Sequence, residues 1–530
     1  MKRYLTAPLA CGLTLTVCVN LYTKTVDDGS RWWKHIEYLA SDELQGRFTG
    51  SDGYMKAARY VADQFQKEGL RPGGPDGYLQ PIAFETRRLI PEKSTVEIIR
   101  NGEAQPLKVP ESAVLGVSGD SGKTVEAPLI FAGYGLTIPE AHYDDYEGLK
   151  TDGAAAVIFA GAPKSVPSLL AAHYSSGEMG ARNALRMGLR ARLVLANPRV
   201  LDLPWDRLVN SVLQTAVQPS LPGMDIEWKT GPLALVRAED IDLVLRGSGH
   251  TFQELSSLDK EGKPLPHFPL DAKLRIKPVF DSGKVQSPNV VATLPGSDPQ
   301  LKDEFVLLSA HLDHVGIGEP VNGDNLYNGA MDNASGVATL LETARLLRAA
   351  GPTKRSILFL ACTGEEEGEK GSEYFAEKPT VDRNKIVANI NLDMYLPLFP
   401  LKIVRAYGLR ESDLEGYVEA AAKEMGIKVQ DDPTPERNLF IRSDQYSFIK
   451  KGIPALFLSF GYEPNTPEEK IVNAWFEQRY HAPSDDTKQP VDKRAAVDFN
   501  RLMAALARRI ADAPQRPTWN ASSLFKRFAQ

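Results

Sequence analysis

The sequence predicts an α/β fold with a mixed, mostly parallel central sheet flanked by helices, and three observations predict it. Four apolar runs, F-V-L-L-S-A (305–310), S-I-L-F-L-A-C (356–362), I-V-A-N-I-N-L (386–392) and P-A-L-F-L-S-F (454–460), are hydrophobic without alternation, as strands buried on both faces are. Helical segments separate them; in 334–350, Val337, Leu340, Leu341, Ala344 and Leu347 recur at helical spacing. Strands and helices that alternate in this way cover both faces of a sheet.

Earlier in the chain, residues 31–70 carry W-W-K-H-I-E-Y-L-A-S-D-E-L-Q-G-R and then a helical stripe of Tyr54, Ala58, Val61 and Phe65, closed by Gly69. From about 110 to 282 the texture changes to short β-like runs, many Gly and Pro residues, and aromatic-acidic turns such as Y-D-D-Y-E-G-L. Within it, A-A-A-V-I-F-A-G-A-P and A-R-L-V-L-A-N-P read as buried strands. A chain of 530 residues exceeds what one hydrophobic core serves. The expected organisation is therefore an α/β unit from 30–110 and 283–515, an inserted β-rich α+β domain over 111–282, and a tail, 516–530.

Residues 1–24 begin Met-Lys-Arg and continue as an apolar stretch of small residues, the pattern of a secretory signal peptide or, if retained, a membrane anchor. Two of the three cysteines, Cys11 and Cys18, lie in it, leaving Cys362 without an internal disulfide partner. The expectation is export, to periplasm or medium, with membrane attachment only through this segment if it is kept or lipidated. A net charge of −6, from 62 basic against 68 acidic residues, gives no reason to expect nucleic acid.

Ligands of open α/β sheets bind at the carboxyl ends of the strands. Here those ends run into His311-Leu312-Asp313-His314, into Gly364-Glu365-Glu366-Glu367, and into Asp393; Asp332 opens the helix after N-L-Y-N-G-A-M-D-N-A-S-G, and His481 stands in R-Y-H-A-P-S-D-D. Each has a plain explanation alone: a structural histidine, a helix cap at Asp332, a solvated run of glutamates. Together, imidazoles and carboxylates at successive strand ends are what zinc or a similar divalent ion requires. Asp313, two residues after His311, is suited to hold that ring in place. His142, His173, His250 and His267 of the middle region show no such spacing.

The ordered motifs H-L-D-H-V-G, L-Y-N-G-A-M-D-N-A-S-G-V-A-T-L-L-E, G-E-E-E-G-E-K-G-S, N-L-D-M and Y-H-A-P-S-D resemble the two-zinc exopeptidases of the leucyl-aminopeptidase type. The resemblance covers 287–513 and the segment L-A-S-D-E-L-Q-G-R…G-S-D-G (39–53), and it implies a zinc exopeptidase fold whose insert resembles a protease-associated domain.

Carried to this sequence, the resemblance implies two Zn2+ per chain, or other divalent ions. One is held by His311 and Asp393, one by Glu366 and His481, and both by Asp332. It makes Glu365 the general base for a hydroxide bridging the metals, Tyr480 the oxyanion stabiliser, and Arg442 and Asp444 contacts to a peptide substrate. Glu367 is left as a solvated residue. The sequence departs from relatives at Met331, and at Glu369 and Lys370, which imply a more exposed turn. The activity expected is aminopeptidase, with a glutamate-carboxypeptidase-like exopeptidase and a glutaminyl cyclase-like acyltransferase as rivals on the same fold. Retention of both histidine ligands counts against the cyclase, and the complete ligand set against a non-catalytic receptor. The sequence assigns no oligomeric state.

Overall fold

The computed structural model describes residues 20–201 and 204–529. Residues 1–19, which hold most of the segment read as an export signal, lie outside them. Among the described residues no helix is long and apolar enough to cross a membrane.

A ten-stranded mixed sheet forms the frame. Its order is Ala216–Pro219, Leu79–Leu89, Phe280–Leu294, Ser356–Cys362, Phe305–His311, Ile386–Asn391, Ala455–Phe460, Ile403–Tyr407 and Lys428–Gln430, with Arg71–Pro72 beside Phe280–Leu294. The four strands from Ser356–Cys362 to Ala455–Phe460 are parallel, and the flanking pairs are antiparallel except Ile403–Tyr407 with Lys428–Gln430. These four are the apolar runs; Ser356–Cys362 is buried at every position, as helices on both faces require. In register, His311 sits opposite Cys362 and Ser309 opposite Asn391, so the chain leaves all three strands at one edge.

Helix Ser335–Ala349 packs with Lys493–Asp512 and Asn20–Leu39 over one face, where Trp32, Leu340, Phe499 and Phe359 share a core. Trp32 Nε1 donates to Thr339 Oγ1 at 3.2 Å inside it, so the indole N–H is not left unpaired. Helix Asp52–Lys67 begins at Ser51, whose hydroxyl accepts from Tyr54 N, and buries the predicted stripe of Tyr54, Ala58, Val61 and Phe65. Gly69, at φ +73°, ends it, a conformation glycine adopts without strain. On the other face, Phe375 and Phe448 of the shorter helices Lys370–Glu377 and Gln445–Ile449 form a second core.

The middle of the chain builds its own eight-stranded sheet, in the order Glu103–Leu107, Thr95–Arg100, His267–Lys277, Val125–Ala132, Ala155–Phe159, Ala191–Leu195, Leu233–Val236 and Ala113–Leu115, around a separate core. Two pairings differ from the expected borders at 110 and 283. The hairpin 95–107, read as part of the unit 30–110 and 283–515, joins this second sheet through His267–Lys277. Ala216–Pro219, read as part of the insert, instead extends the large sheet along Leu79–Leu89. Strand pairing across long sequence separations sets both borders, and local composition carries no signal of it.

Candidate metal centre

The carboxyl edge of the large sheet gathers the five residues implied as metal ligands. His311 ends its strand; Asp393 lies just past Ile386–Asn391; Glu366 sits in the loop after Ser356–Cys362; His481 follows helix Pro467–Arg479. Asp332 lies in the irregular turn before helix Ser335–Ala349 and does not cap it: Gly336 N donates to Asn333 Oδ1 at 3.0 Å instead.

Asp332 divides its two oxygens. Oδ1 lies 3.3 Å from His311 Nε2, which is also 3.2 Å from Asp393 Oδ1. Oδ2 lies 3.2 Å from His481 Nε2, which is also 3.1 Å from Glu366 Oε2. Two donor sets of one imidazole and one carboxylate each thus meet at a shared carboxylate. Donor atoms of His311, Asp332 and Glu366 lie within 4.8 Å of one another, which fits cation binding.

The electrostatics agree with that fit. Burial raises and the two histidines lower the Asp332 carboxyl, which ends well below the usual range. Glu366 is likewise opposed by burial but drawn down to about 2, chiefly by His481. Burial alone would lower His311, yet the Glu365 and Asp393 carboxylates raise it well above its ordinary value, and Glu366 and Asp332 do the same to His481. Glu365 goes the other way: burial pushes it well above the carboxylate range, His311 pulls it back in part, and Asp393, Asp444 and Glu366 add to the rise. So much buried negative charge calls for cations.

Several neighbours hold the ligands in place. Asp485 accepts the backbone N–H of Met331 at 2.9 Å and of Asp332 at 3.0 Å. Ser443 donates to Asp393 Oδ2 at 2.7 Å, and His314 Nδ1 lies 2.6 Å from Glu366 Oε1. The buried Arg47 guanidinium donates to the carbonyls of Leu39, Leu312, Asn328 and Gly329, joining the loops that carry His311 and Asp332. Asp485, His314 and Arg47 fall inside the quoted motifs, and Ser443 lies between Arg442 and Asp444, in a segment that resembles the substrate-side loop of those exopeptidases.

Four expectations are corrected. The Asp313 carboxylate does not hold the His311 ring: its backbone carbonyl lies 3.2 Å from His311 Nδ1, while Asp313 Oδ2 accepts the Glu366 N–H at 3.1 Å. The loop folds the main chain under the ring and sends the side chain to the neighbouring loop. Glu367 is not solvated: it is half-buried, accepts from Thr49 Oγ1 at 2.8 Å, and burial raises its carboxyl. The turn at Glu369 and Lys370 is packed, because Lys370 is buried and its Nζ lies 3.7 Å from Glu227. Asp444 is fully buried and is not among the described residues that line the cavity beside the ligands, and burial raises it to about 6.

That cavity measures about 1250 Å³ and reaches His311, Asp332, Glu365, Glu366, Asp393 and His481. Arg442 and Tyr480 stand on its wall. The Tyr480 ring lies against His481, with centroids 4.1 Å apart, and burial with the Asp332 charge raises its hydroxyl pKa, keeping it a donor. The middle region supplies Pro204 and Arg207, and Arg207 donates to Glu477 O at 3.3 Å across the mouth.

A mixed α/β sheet whose strand ends converge two histidines on a shared carboxylate is a frame on which divalent cations could be held. Residues 289–507 match the profile of Peptidase family M28. The fold resembles the aminopeptidase from Aneurinibacillus sp. strain AM-1, with a TM-score of 0.57 at 21% identity over 93% of this chain and 96% of that one. In sequence, the chain is 35% identical over 147 residues to a probable zinc metalloprotease of Pyrenophora tritici-repentis, 27% of this chain and 32% of that protein. It is 28% identical over 209 residues to aminopeptidase YwaD of Bacillus subtilis, 38% of this chain and 40% of that protein. The matched segment spans a third or less of the length of the first curated relatives.

Proposed function

We propose that the protein is an exported zinc-dependent aminopeptidase that removes N-terminal residues from peptides. The division of the Asp332 oxygens between the His311–Asp393 and His481–Glu366 pairs carries the reading. His311 and Asp393 would hold one cation, Glu366 and His481 another, and Asp332 both. When bound, divalent cations supply Lewis acidity, polarising a scissile carbonyl and acidifying water.

The chain's own residues do the rest. Glu365, 3.9 Å from His311 Nε2 and raised by burial, is poised to take a proton from the attacking water and return it to the leaving amine. Tyr480, protonated on the cavity wall, donates to the developing oxyanion. Arg47 and Asp485 keep the ligand loops in register. Pro204 and Arg207 narrow the mouth, which suits short peptides. Export rests on the residue 1–24 pattern.

The test screens the zinc-loaded chain against aminoacyl anilides and N-blocked peptides, with the metal content counted. Cleavage confined to free amino termini and two metals per chain are expected. Equal cleavage of blocked peptides overturns the aminopeptidase reading, and a single metal favours the cyclase-like rival.

A further inference from the structure

Two neighbouring strands of the large sheet carry polar side chains into its interior, Ser309 on Phe305–His311 and Asn389 and Asn391 on Ile386–Asn391. All three are fully buried, and Ser309 sits opposite Asn391 in the register. They begin a chain of hydrogen bonds that leaves the sheet and ends on a metal ligand. Asn389 Nδ2 donates to Ser309 Oγ at 2.9 Å, and Ser309 Oγ to Asn391 Oδ1 at 2.7 Å. Asn391 Nδ2 donates to Gln445 Oε1 at 2.8 Å and to Ser443 Oγ at 2.9 Å. Ser443 Oγ then donates to Asp393 Oδ2 at 2.7 Å.

The direction of this chain is fixed from its far end. The backbone carbonyl of Phe440 can only accept, so Gln445 turns its amide nitrogen toward it, at 3.0 Å. Gln445 Oε1 is thereby left facing Asn391, which answers with one N–H and spends the other on Ser443. The single hydroxyl proton of Ser443 is left for Asp393. Hydrogen bonds aligned in one sense inside a buried network strengthen one another. Pairing of polar groups across strands accounts for Ser309 beside Asn391, but not for a single polarity that ends on Asp393. The effect on that carboxylate is specific: Oδ2 is engaged by Ser443, while Oδ1 lies 3.2 Å from His311 Nε2. Glu366, in the other donor set, is supported separately, by His314 Nδ1 at 2.6 Å from Oε1.

We infer that Asn391 and Gln445 are positioning residues for the His311–Asp393 cation site: they commit the Ser443 hydroxyl as a donor to Asp393 Oδ2, turn Oδ1 toward the cation, and so set the affinity of this site separately from that of the His481–Glu366 site. This rests on the two-cation reading above.

Titration of the metal-free full chain with cobalt(II), followed by its visible absorption, tests this without turnover. The wild type should take up two equivalents. Ser443→Ala should weaken one of them about tenfold or more and leave the other unchanged, whereas Ser443→Thr, which keeps the hydroxyl, should stay within about threefold of the wild type. Asn391→Leu should weaken the same equivalent, and because it acts through Ser443, the double variant with Ser443→Ala should bind within about threefold of Ser443→Ala alone. If Asn391→Leu does not fold, Gln445→Met takes its place in the cycle. Wild-type affinity in Ser443→Ala, equal weakening of both equivalents, or single effects that multiply in the double variant overturn the inference and leave the two-cation reading intact. Uptake of fewer than two equivalents by the wild type overturns both.

Discussion

Asp485 grips the backbone on either side of the Met331–Asp332 peptide, accepting one N–H from each residue, at 2.9 and 3.0 Å. The carboxylate shared between the two donor sets is thus held from behind by a residue 153 positions further along the chain. Gln489 Nε2 in turn donates to Asp485 Oδ1, fixing the clamp. Supporting contacts of this kind orient metal ligands. Asp485→Asn, which turns an amide donor toward one of these N–H groups, should lower zinc affinity about 10- to 100-fold. Competition with a chromogenic chelator measures it, and unchanged affinity would show the clamp to be irrelevant to the metal.

Burial drives the Glu365 carboxyl upward while its neighbours Asp332 and Glu366 are drawn down. Glu365→Gln keeps its shape and removes the proton-accepting oxygen. The expectation is a fall in kcat of about 10²- to 10⁴-fold with zinc content unchanged. A variant that retains full turnover removes Glu365 from the chemistry.

Stripping the cations should loosen the whole edge of the sheet. Asp332, Glu365, Glu366 and Asp393 are then left together with only the imidazoles to offset them. Zinc at about one hundred times its dissociation constant contributes about 2.7 kcal/mol to the folded state. Dialysis against a chelator should lower the calorimetric midpoint by about 2–4 °C, and zinc should restore it.

Arg47 is fully buried, and its guanidinium serves four backbone carbonyls from three separate loops. Burial lowers its pKa to about 10, so it stays charged at neutral pH. Arg47→Met leaves those carbonyls without donors. A loss on the order of 3 kcal/mol is expected, read as a shifted urea midpoint at constant slope.

Burial pushes Glu369 up from 4.5 to about 8, against a partial pull from Lys450. The folded state therefore holds this proton more tightly than the unfolded state does. Its favourable contribution is complete below pH 4.5 and is lost as pH rises through 8. Glu369→Gln, which cannot ionise, should match the wild type near pH 4.5 and melt progressively higher than it as pH approaches 8. Parallel pH dependences for the two proteins would contradict this burial effect.

Much of this was legible in the residues. The strands Phe305–His311, Ser356–Cys362, Ile386–Asn391 and Ala455–Phe460 and the helix Ser335–Ala349 lie within one residue of the predicted limits, because an apolar residue at every position and an apolar stripe at helical spacing are local marks of burial. The ordered motifs brought His311, Asp332, Glu366, Asp393 and His481 into one list, and the sheet brings all five to one edge. Asp313 and Glu367 were misread for a common reason: a side chain in a loop takes its partner from another loop, and Glu366 N and Thr49 lie 53 and 318 residues away.

By itself, then, the sequence determined the alternation of buried strands and helices, the placement of acids and imidazoles at strand ends, and the order of motifs that resembles the two-zinc exopeptidases. Only the tertiary structure decided which oxygen of Asp332 faces which histidine, and that Asp485 and Arg47 brace the turn that carries it. The division has a physical cause. Burial and backbone conformation are written in neighbouring residues, whereas the partner of a charged side chain depends on the order in which the strands pair.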